Sequence, residues 1–223
     1  MEAWNWKGAN LVLSPQRLMY WEAQKMLIVS DLHLGKTGHF RKHGLAVPTA
    51  VFKEDLHRLW QSIGFFKPST LLMVGDFVHS HANLELEVFA RWRAEWPNLN
   101  ITLVKGNHDI LHPSWYVAQQ ITVVPYLLLD GLLFVHDAAD AAALQLPHQG
   151  VVSGHLHPAV VIKSGARQQL RFPCFYFTGA HCILPAFSVF TGNASIKPKK
   201  TDTIFAILPQ PANQTTGPKL LKL

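Results

Sequence analysis

Residues 25–36 read KMLIVSDLHLGK, a short apolar run that closes abruptly on Asp31 and His33. Two further stretches repeat the form: residues 70–76 (TLLMVGD) close on Gly75 and Asp76, and residues 101–109 (ITLVKGNHD) close on Gly106, Asn107, His108 and Asp109. Runs this short, rich in branched apolar residues and ended by Gly or Asp, are buried strands. Helical patterns lie between them. The first opens after Pro48 and places Phe52, Leu56, Leu59, Trp60 and Ile63 on one face; the second places Leu84, Val88, Phe89, Trp92 and Trp96 on another. Strand, helix, strand, helix, strand implies a parallel sheet.

From Val123 onward strand-like runs follow one another with only turns between them. They cover residues 126–129, 132–135, 151–153, 159–162, 174–178 and 204–208. Asp130-Gly131 between two of these runs is a two-residue hairpin signal, and Ser164-Gly165 is a weaker one. Residues 10–21 at the start read as another hairpin, turning at Ser14 and Pro15. Two packed sheets with helices outside them is the architecture this order implies. The chain has no internal repeat, and 223 residues suit one well-buried core, so residues 1–208 are read as a single domain. The polar ending, 209–223, carries Pro209, Pro211, Asn213 and Gly217 and is expected to be mobile.

Composition narrows the classes. With 48% hydrophobic and 15% charged residues the chain is not a disordered one, and a net charge of +6 gives a basic surface that attracts polyanions. Cys174 and Cys182 are too few for a disulfide framework and are expected to be buried, reduced thiols. No stretch reaches the roughly 18 apolar residues of a membrane span, nor is there an apolar run near the start suited to a signal peptide. The expected location is the cytoplasm.

The chemistry lies where the strands end. Asp31 and His33 follow the first, Asp76 the second, Asn107 the third, His136 a fourth, and His155 with His157 a fifth. Ligands collect beyond the carboxyl ends of strands in open sheets, so these residues are expected to share one site. A lone His or Asp more often serves a core or a helix cap. Seven at ordered strand ends are not explained that way. Carboxylate, imidazole and amide oxygen form the ligand set of Mn, Fe and Zn, whereas a cage for Mg or Ca would be built from oxygens. Seven ligands exceed what one ion uses alongside water, which points to two divalent cations with one carboxylate between them, able to clamp a phosphate and to generate hydroxide from water.

These residues, Asp31-Leu-His33, Gly75-Asp76, Gly106-Asn107-His108-Asp109, His136 and Gly154-His155-Leu-His157, resemble the calcineurin-like metallophosphoesterases. The resemblance implies an α/β fold of the α+β kind, a four-layer αββα sandwich of two mixed sheets flanked by helices. It implies that Asp31, His33 and His157 hold one metal, that Asn107, His136 and His155 hold the other, and that Asp76 bridges. Manganese is the expected ion, with iron or zinc as alternatives. By the same resemblance His108 is the catalytic residue that faces the leaving group. Asp137 follows His136 where the family usually has Gly. Asp109 either orients an imidazole or caps the next helix, and the cap is the favoured role. His79 and Ser80 stand where protein phosphatases of the superfamily carry Asp and Arg, which disfavours a protein phosphatase.

Residues 31–36, continued by Phe40, Arg41 and Pro48, are similar to a narrower bacterial group, the ligase-associated DNA damage response endonucleases (the PdeM group). That similarity implies a DNA or other phosphodiester substrate and repair partners such as a ligase or helicase. Residues 36–43 form a cationic loop in which Arg41 and Lys42 are candidate substrate-binding residues, with a solvated loop as the alternative. The expected function is a phosphodiesterase that cuts nucleic acid. A small-nucleotide phosphodiesterase and a non-catalytic interaction scaffold of the same fold are the alternatives.

Overall fold

The computed structural model describes residues 1–35, 50–78, 84–163, 169–210 and 217–223. Among these residues the chain folds as two mixed sheets, of seven and nine strands, packed face to face. The first sheet has seven strands in sequential order: β1 (Glu2–Trp6), β2 (Ala9–Ser14), β3 (Leu18–Trp21), β4 (Met26–Ser30), β5 (Thr70–Val74), β6 (Asn100–Val104) and β7 (Ile121–Val124). Its first four strands form an antiparallel meander, and β4 to β7 are parallel. Helices α1 (Ala50–Phe66) and α2 (Leu84–Ala94) make the crossovers between the parallel strands. A short helix, α3 (Pro113–Ala118), precedes β7.

The second sheet has nine strands. They are β8 (Leu127–Leu129), β9 (Leu132–Phe134), β10 (Gly150–Ser153), β11 (Pro158–Lys163), β12 (Gln169–Phe177), β13 (His181–Ile183), β14 (Ala194–Ser195), β15 (Thr203–Leu208) and β16 (Lys219–Lys222), with helix α4 (Asp140–Leu144) between β9 and β10. The β8–β9 hairpin turns at Asp130 and Gly131, both with positive φ (45° and 79°), the conformation a two-residue primed turn requires. The Ser164-Gly165 turn lies outside the described residues, although the strands it joins, β11 and β12, do pair antiparallel.

Alternation along the central strands explains the layers. In β4, Met26 and Ile28 face the second sheet while Leu27 and Val29 face the helices; in β5, Leu72 and Val74 face inward and Leu71 and Met73 outward. Side chains of a strand point to opposite faces in turn, so a strand apolar on both faces must be covered on both. Leu132, Phe134, Val152, Phe175, Phe177 and Phe205 complete the inter-sheet core. The helical layer buries Leu56, Leu59 and Ile63 of α1 and Leu86, Phe89 and Trp92 of α2. The side chains of Phe52 and Leu84, also assigned to these faces, lie outside what is described.

Two expectations are corrected. Trp60 does not join the buried face of α1: it is 43% exposed, with its Nε1 donating to Glu95 Oε2 at 3.0 Å. The ending beyond residue 208 is not loose throughout, because Lys219–Lys222 returns to pair antiparallel with β15. Cys174 and Cys182 are both buried free thiols, and burial pushes the Cys174 thiol up to about 12. Among the described residues no helix is long and apolar enough to cross a membrane.

Candidate metal centre

The carboxyl ends of the parallel strands β4, β5 and β6 and of the parallel pair β9 and β10 converge from the two sheets. The loops after β4 and β5 are stitched together, since the N–H groups of Asp31, His33 and Leu34 donate to the carbonyls of Gly75, Asp76 and Phe77. The loop after β10 is tied in by the His155 N–H, which donates to the Asp31 carboxylate at 3.2 to 3.3 Å. These bonds tie the segments that carry Asp31, His33, Asp76, His155 and His157; the His108 N–H to Asp76 Oδ1 and the Gly154 N–H to the His136 carbonyl bring in those of Asn107 and His136.

Two groups of acceptor atoms result. Asp31, His33 and His157 each offer one oxygen or nitrogen within 4.8 Å of the others, and so do Asp76, His136 and His155. Asn107 joins the second group, its Oδ1 lying 3.0 Å from His136 Nε2. In the first, His157 Nδ1 lies 3.0 Å from the Gly192 carbonyl, which can only accept, so the proton sits on Nδ1. The Nε2 lone pair therefore faces Asp31 Oδ1 at 3.1 Å and His33 Nε2 at 3.4 Å. In the second, His136 Nδ1 faces the Val74 carbonyl at 3.5 Å, leaving Nε2 aimed at Asp76 Oδ1 (3.3 Å) and His155 Nδ1 (3.2 Å). Lone pairs directed at lone pairs repel unless a cation or a proton lies among them, and this donor set suits a divalent metal.

Electrostatics within the cluster point the same way. Burial alone would raise the Asp76 carboxyl, but the hydrogen bond and charge of His136, the His108 N–H and the charge of His33 outweigh it and hold Asp76 well below the usual carboxylate range. Burial likewise works to lower His136, and the carboxylates of Asp76 and Asp31 overcome it to raise the imidazole above its ordinary value. The pocket stabilises positive charge at its centre.

The backbone is strained where the ligands sit. Asp31 (φ 54°), His33 (50°), Asp76 (45°), His155 (61°) and His157 (49°) all lie in the left-handed region. Such residues cost on the order of 1–3 kcal/mol each and cluster where function over-determines the chain. Three glycines make the approach of the ligands possible: a Cβ on Gly75 would strike the His136 ring, one on Gly106 the backbone N and Oδ1 of Asp76, and one on Gly154 the Oδ2 of Asp31.

His108 sits at the rim with its side chain 43% exposed. Its N–H donates to Asp76 Oδ1 at 3.0 Å and its Nε2 lies 4.0 Å from Asp76 Oδ2. Asp137 places Oδ2 3.7 Å from His155 Nε2. A cavity of about 470 Å³ opens beside the second group, between Lys105, Pro125, Asp137 and Asp140. Arg41, Lys42, His79 and Ser80 lie outside the described residues.

Asp109 corrects the favoured expectation of a helix cap. His112 caps α3, accepting from the Ser114 N–H. Asp109 is fully buried and clamps two ligand loops instead: Oδ1 accepts from the Val78 N–H at 2.9 Å and Oδ2 from the Gly106 N–H at 2.8 Å. Burial, opposed by these two bonds, pushes its carboxyl up to about 6. Asp109→Asn sets an amide N–H₂ against a backbone N–H, so unfolding in denaturant is expected to show a loss of roughly 1–3 kcal/mol. Unchanged stability would remove the clamp.

A model of the calcineurin-like phosphoesterases matches residues 24–139, which takes in Asp31 to His136. The chain belongs to this family of metal-dependent hydrolases acting on phosphoester bonds. It is similar over 92% of its length to the crystal structure of the Pseudomonas putida nuclease MPE, covering 96% of that chain at 29% identity with a TM-score of 0.76. YfcE, a phosphoesterase from E. coli, is more distant, at 16% identity with 82% of this chain and 91% of that chain covered and a TM-score of 0.43. A comparison with curated proteins finds no match.

Proposed function

We propose that the protein is a cytoplasmic phosphodiesterase that cuts nucleic acid with two divalent cations, manganese foremost. Asp31, His33 and His157 would hold one, Asn107, His136 and His155 the other, and Asp76 would touch both. Seven converging acceptor side chains support two ions in place of one. When bound, such a pair supplies Lewis acidity toward a phosphoryl oxygen and lowers the pKa of a water between its members.

The remaining work falls to the chain's own groups. His108, at the rim and beside Asp76, is placed to protonate the leaving oxygen or to hold a phosphate oxygen. Asp137, with Oδ2 3.7 Å from His155 Nε2, is the carboxylate that would steady that imidazole from its far side. Arg41 and Lys42 are proposed to grip the nucleic-acid backbone, and the charge of +6 raises the local concentration of a polyanion.

One observation carries the substrate class: the full-length likeness to the Pseudomonas putida nuclease MPE. A place in DNA repair beside a ligase or helicase belongs to the same proposal and is supported by the similarity of residues 31–48 to the repair endonuclease group. The cavity of about 470 Å³ favours a second substrate, a small nucleotide or cyclic diester, because its size suits one nucleotide.

With Mn present, hydrolysis of bis(p-nitrophenyl) phosphate is expected to exceed that of p-nitrophenyl phosphate, and DNA cleavage to weaken steeply with salt. Replacing Arg41 and Lys42 by Ala should raise KM for DNA and spare the small diester. Equal losses on both substrates would move that loop from binding to structural support. A preference for monoesters with no cleavage of any DNA form would overturn the nuclease assignment, and mononucleotide diesters as the sole substrates would establish the second.

A further inference from the structure

Next to the first group of ligands lies a cluster of charges, one buried and two half-buried, that the chemistry above does not use. Asp55 and Arg58 stand one turn apart on α1, joined at 2.7 Å, and Arg17 reaches in from the turn between β2 and β3. Asp55 is 7% exposed and the Arg58 side chain 14%. Desolvating a buried carboxylate and two half-buried guanidiniums is costly, so their pairing is by itself weak evidence of a role in stability. Here all three converge on one segment, residues 185–192. Arg17 donates to the carbonyls of Ser188 (2.9 Å) and Ala186 (3.4 Å), Arg58 donates to the Phe187 carbonyl with its guanidinium 4.1 Å over the Phe187 ring, and Asp55 accepts from the Val189 N–H at 3.4 Å.

The far side of the same segment touches the ligands. The Phe187 N–H donates to the Ser30 carbonyl at 2.8 Å, the Ser188 N–H to the Asp31 carbonyl at 3.3 Å, and Ser30 Oγ to the Pro185 carbonyl at 3.3 Å. Gly192 offers the carbonyl that takes the His157 Nδ1 proton and thereby fixes which nitrogen faces the site. The segment is thus a relay. Its carbonyls and one N–H are held by Arg17, Arg58 and Asp55, and its other groups hold Asp31 and His157. Among the described residues the segment itself makes no hydrogen bond to Asn107, His136 or His155, and reaches the second group one step further on, where the Asp31 carboxylate accepts from the His155 N–H.

We propose that Arg17, Arg58 and Asp55 are positioning residues for the Asp31, His33 and His157 metal site, acting through residues 185–192, and not for the neighbouring site. The inference rests on the two-ion assignment above. The strained φ of Asp31 and His157 sharpens it, because backbones held away from their relaxed conformation drift when a restraining contact is lost. Partners outside the first shell of a metal ligand set its orientation and tautomer, and their removal weakens metal affinity by roughly 10 to 100-fold.

The test is manganese binding to the full-length protein, resolved into its two affinities, for wild type, Arg17→Met and Asp55→Asn. Arg17→Met is expected to weaken one affinity by roughly tenfold or more, to leave the other within about twofold, and to recover turnover when Mn is raised. Arg17→Lys should restore part of the loss. The site is identified by a cycle: Arg17→Met should cost nothing further in a His157→Ala background and should keep its full effect in His136→Ala. Equal weakening of both affinities, or none, would overturn the proposal and leave the cluster a matter of stability alone. If Arg17→Met does not fold, Asp55→Asn and Arg17→Lys carry the same comparison, with the same selective loss expected. A wild-type protein that takes up no manganese overturns the two-ion assignment and this inference with it.

Discussion

Asp76→Asn is expected to leave fewer than two ions bound per chain and to lower turnover by at least about a hundredfold, more than loss of an outer-shell partner costs. Asp76 is 3% exposed, and its Oδ1 faces His136 Nε2 at 3.3 Å while taking the His108 N–H at 3.0 Å. Asparagine keeps the shape but removes the charge, and its N–H₂ can neither bridge two cations nor accept from His108. A residue that touches both ions should matter to both. Asn107→Ala, by contrast, should weaken one ion, since Asn107 Oδ1 stands only beside the His136 group. Elemental analysis of both variants decides the matter. Two ions held at wild-type affinity by Asp76→Asn would end the bridging assignment.

His108→Ala is expected to keep both metals while turnover falls by roughly 10² to 10⁴, the usual contribution of a positioned acid or base. The side chain is half-exposed at the mouth of the site and belongs to neither group of converging acceptors. It should act on the reacting phosphate and not on the ions. Kinetics with a diester whose leaving group is already acidic provide a second readout, because such a leaving group needs little protonation and should lose less. Retained activity on ordinary diesters would remove the role. Loss of metal together with activity would make His108 a ligand.

The frame was legible because the informative residues are local. A strand that ends on Asp-Leu-His or on Gly-Asp announces both its boundary and its chemistry, and the alternation of Leu71 to Val74 between two cores follows once an unbroken apolar run is read as a strand covered on both faces. The hairpin at Asp130-Gly131 was legible for the same reason. What escaped was set by partners far along the chain. The nearness of the next helix in sequence points to a cap for Asp109, whereas one of its two partners, Val78, is 31 positions away. The segment 185–192 carries no motif, and its partners Arg17 and Ser30 lie more than 150 residues upstream. Trp60 fits the apolar spacing of α1, but nothing in a helical pattern says how far the neighbouring helix extends to cover it. Strand β16 is four residues in a polar ending, too short for a period to emerge, and exists because β15 offers an edge. The positive φ at five ligand residues has no sequence signal beyond the tolerance of Asp and His for that conformation.

Two cations sharing this site would show themselves by anomalous scattering. Crystals grown with manganese and measured at its absorption edge test this directly. Two anomalous peaks per chain are predicted, about 3.5–4 Å apart, one among Asp31, His33 and His157 and one among Asn107, His136 and His155, with Asp76 in reach of both. A single peak, or two that leave either group of residues without a cation, would contradict it.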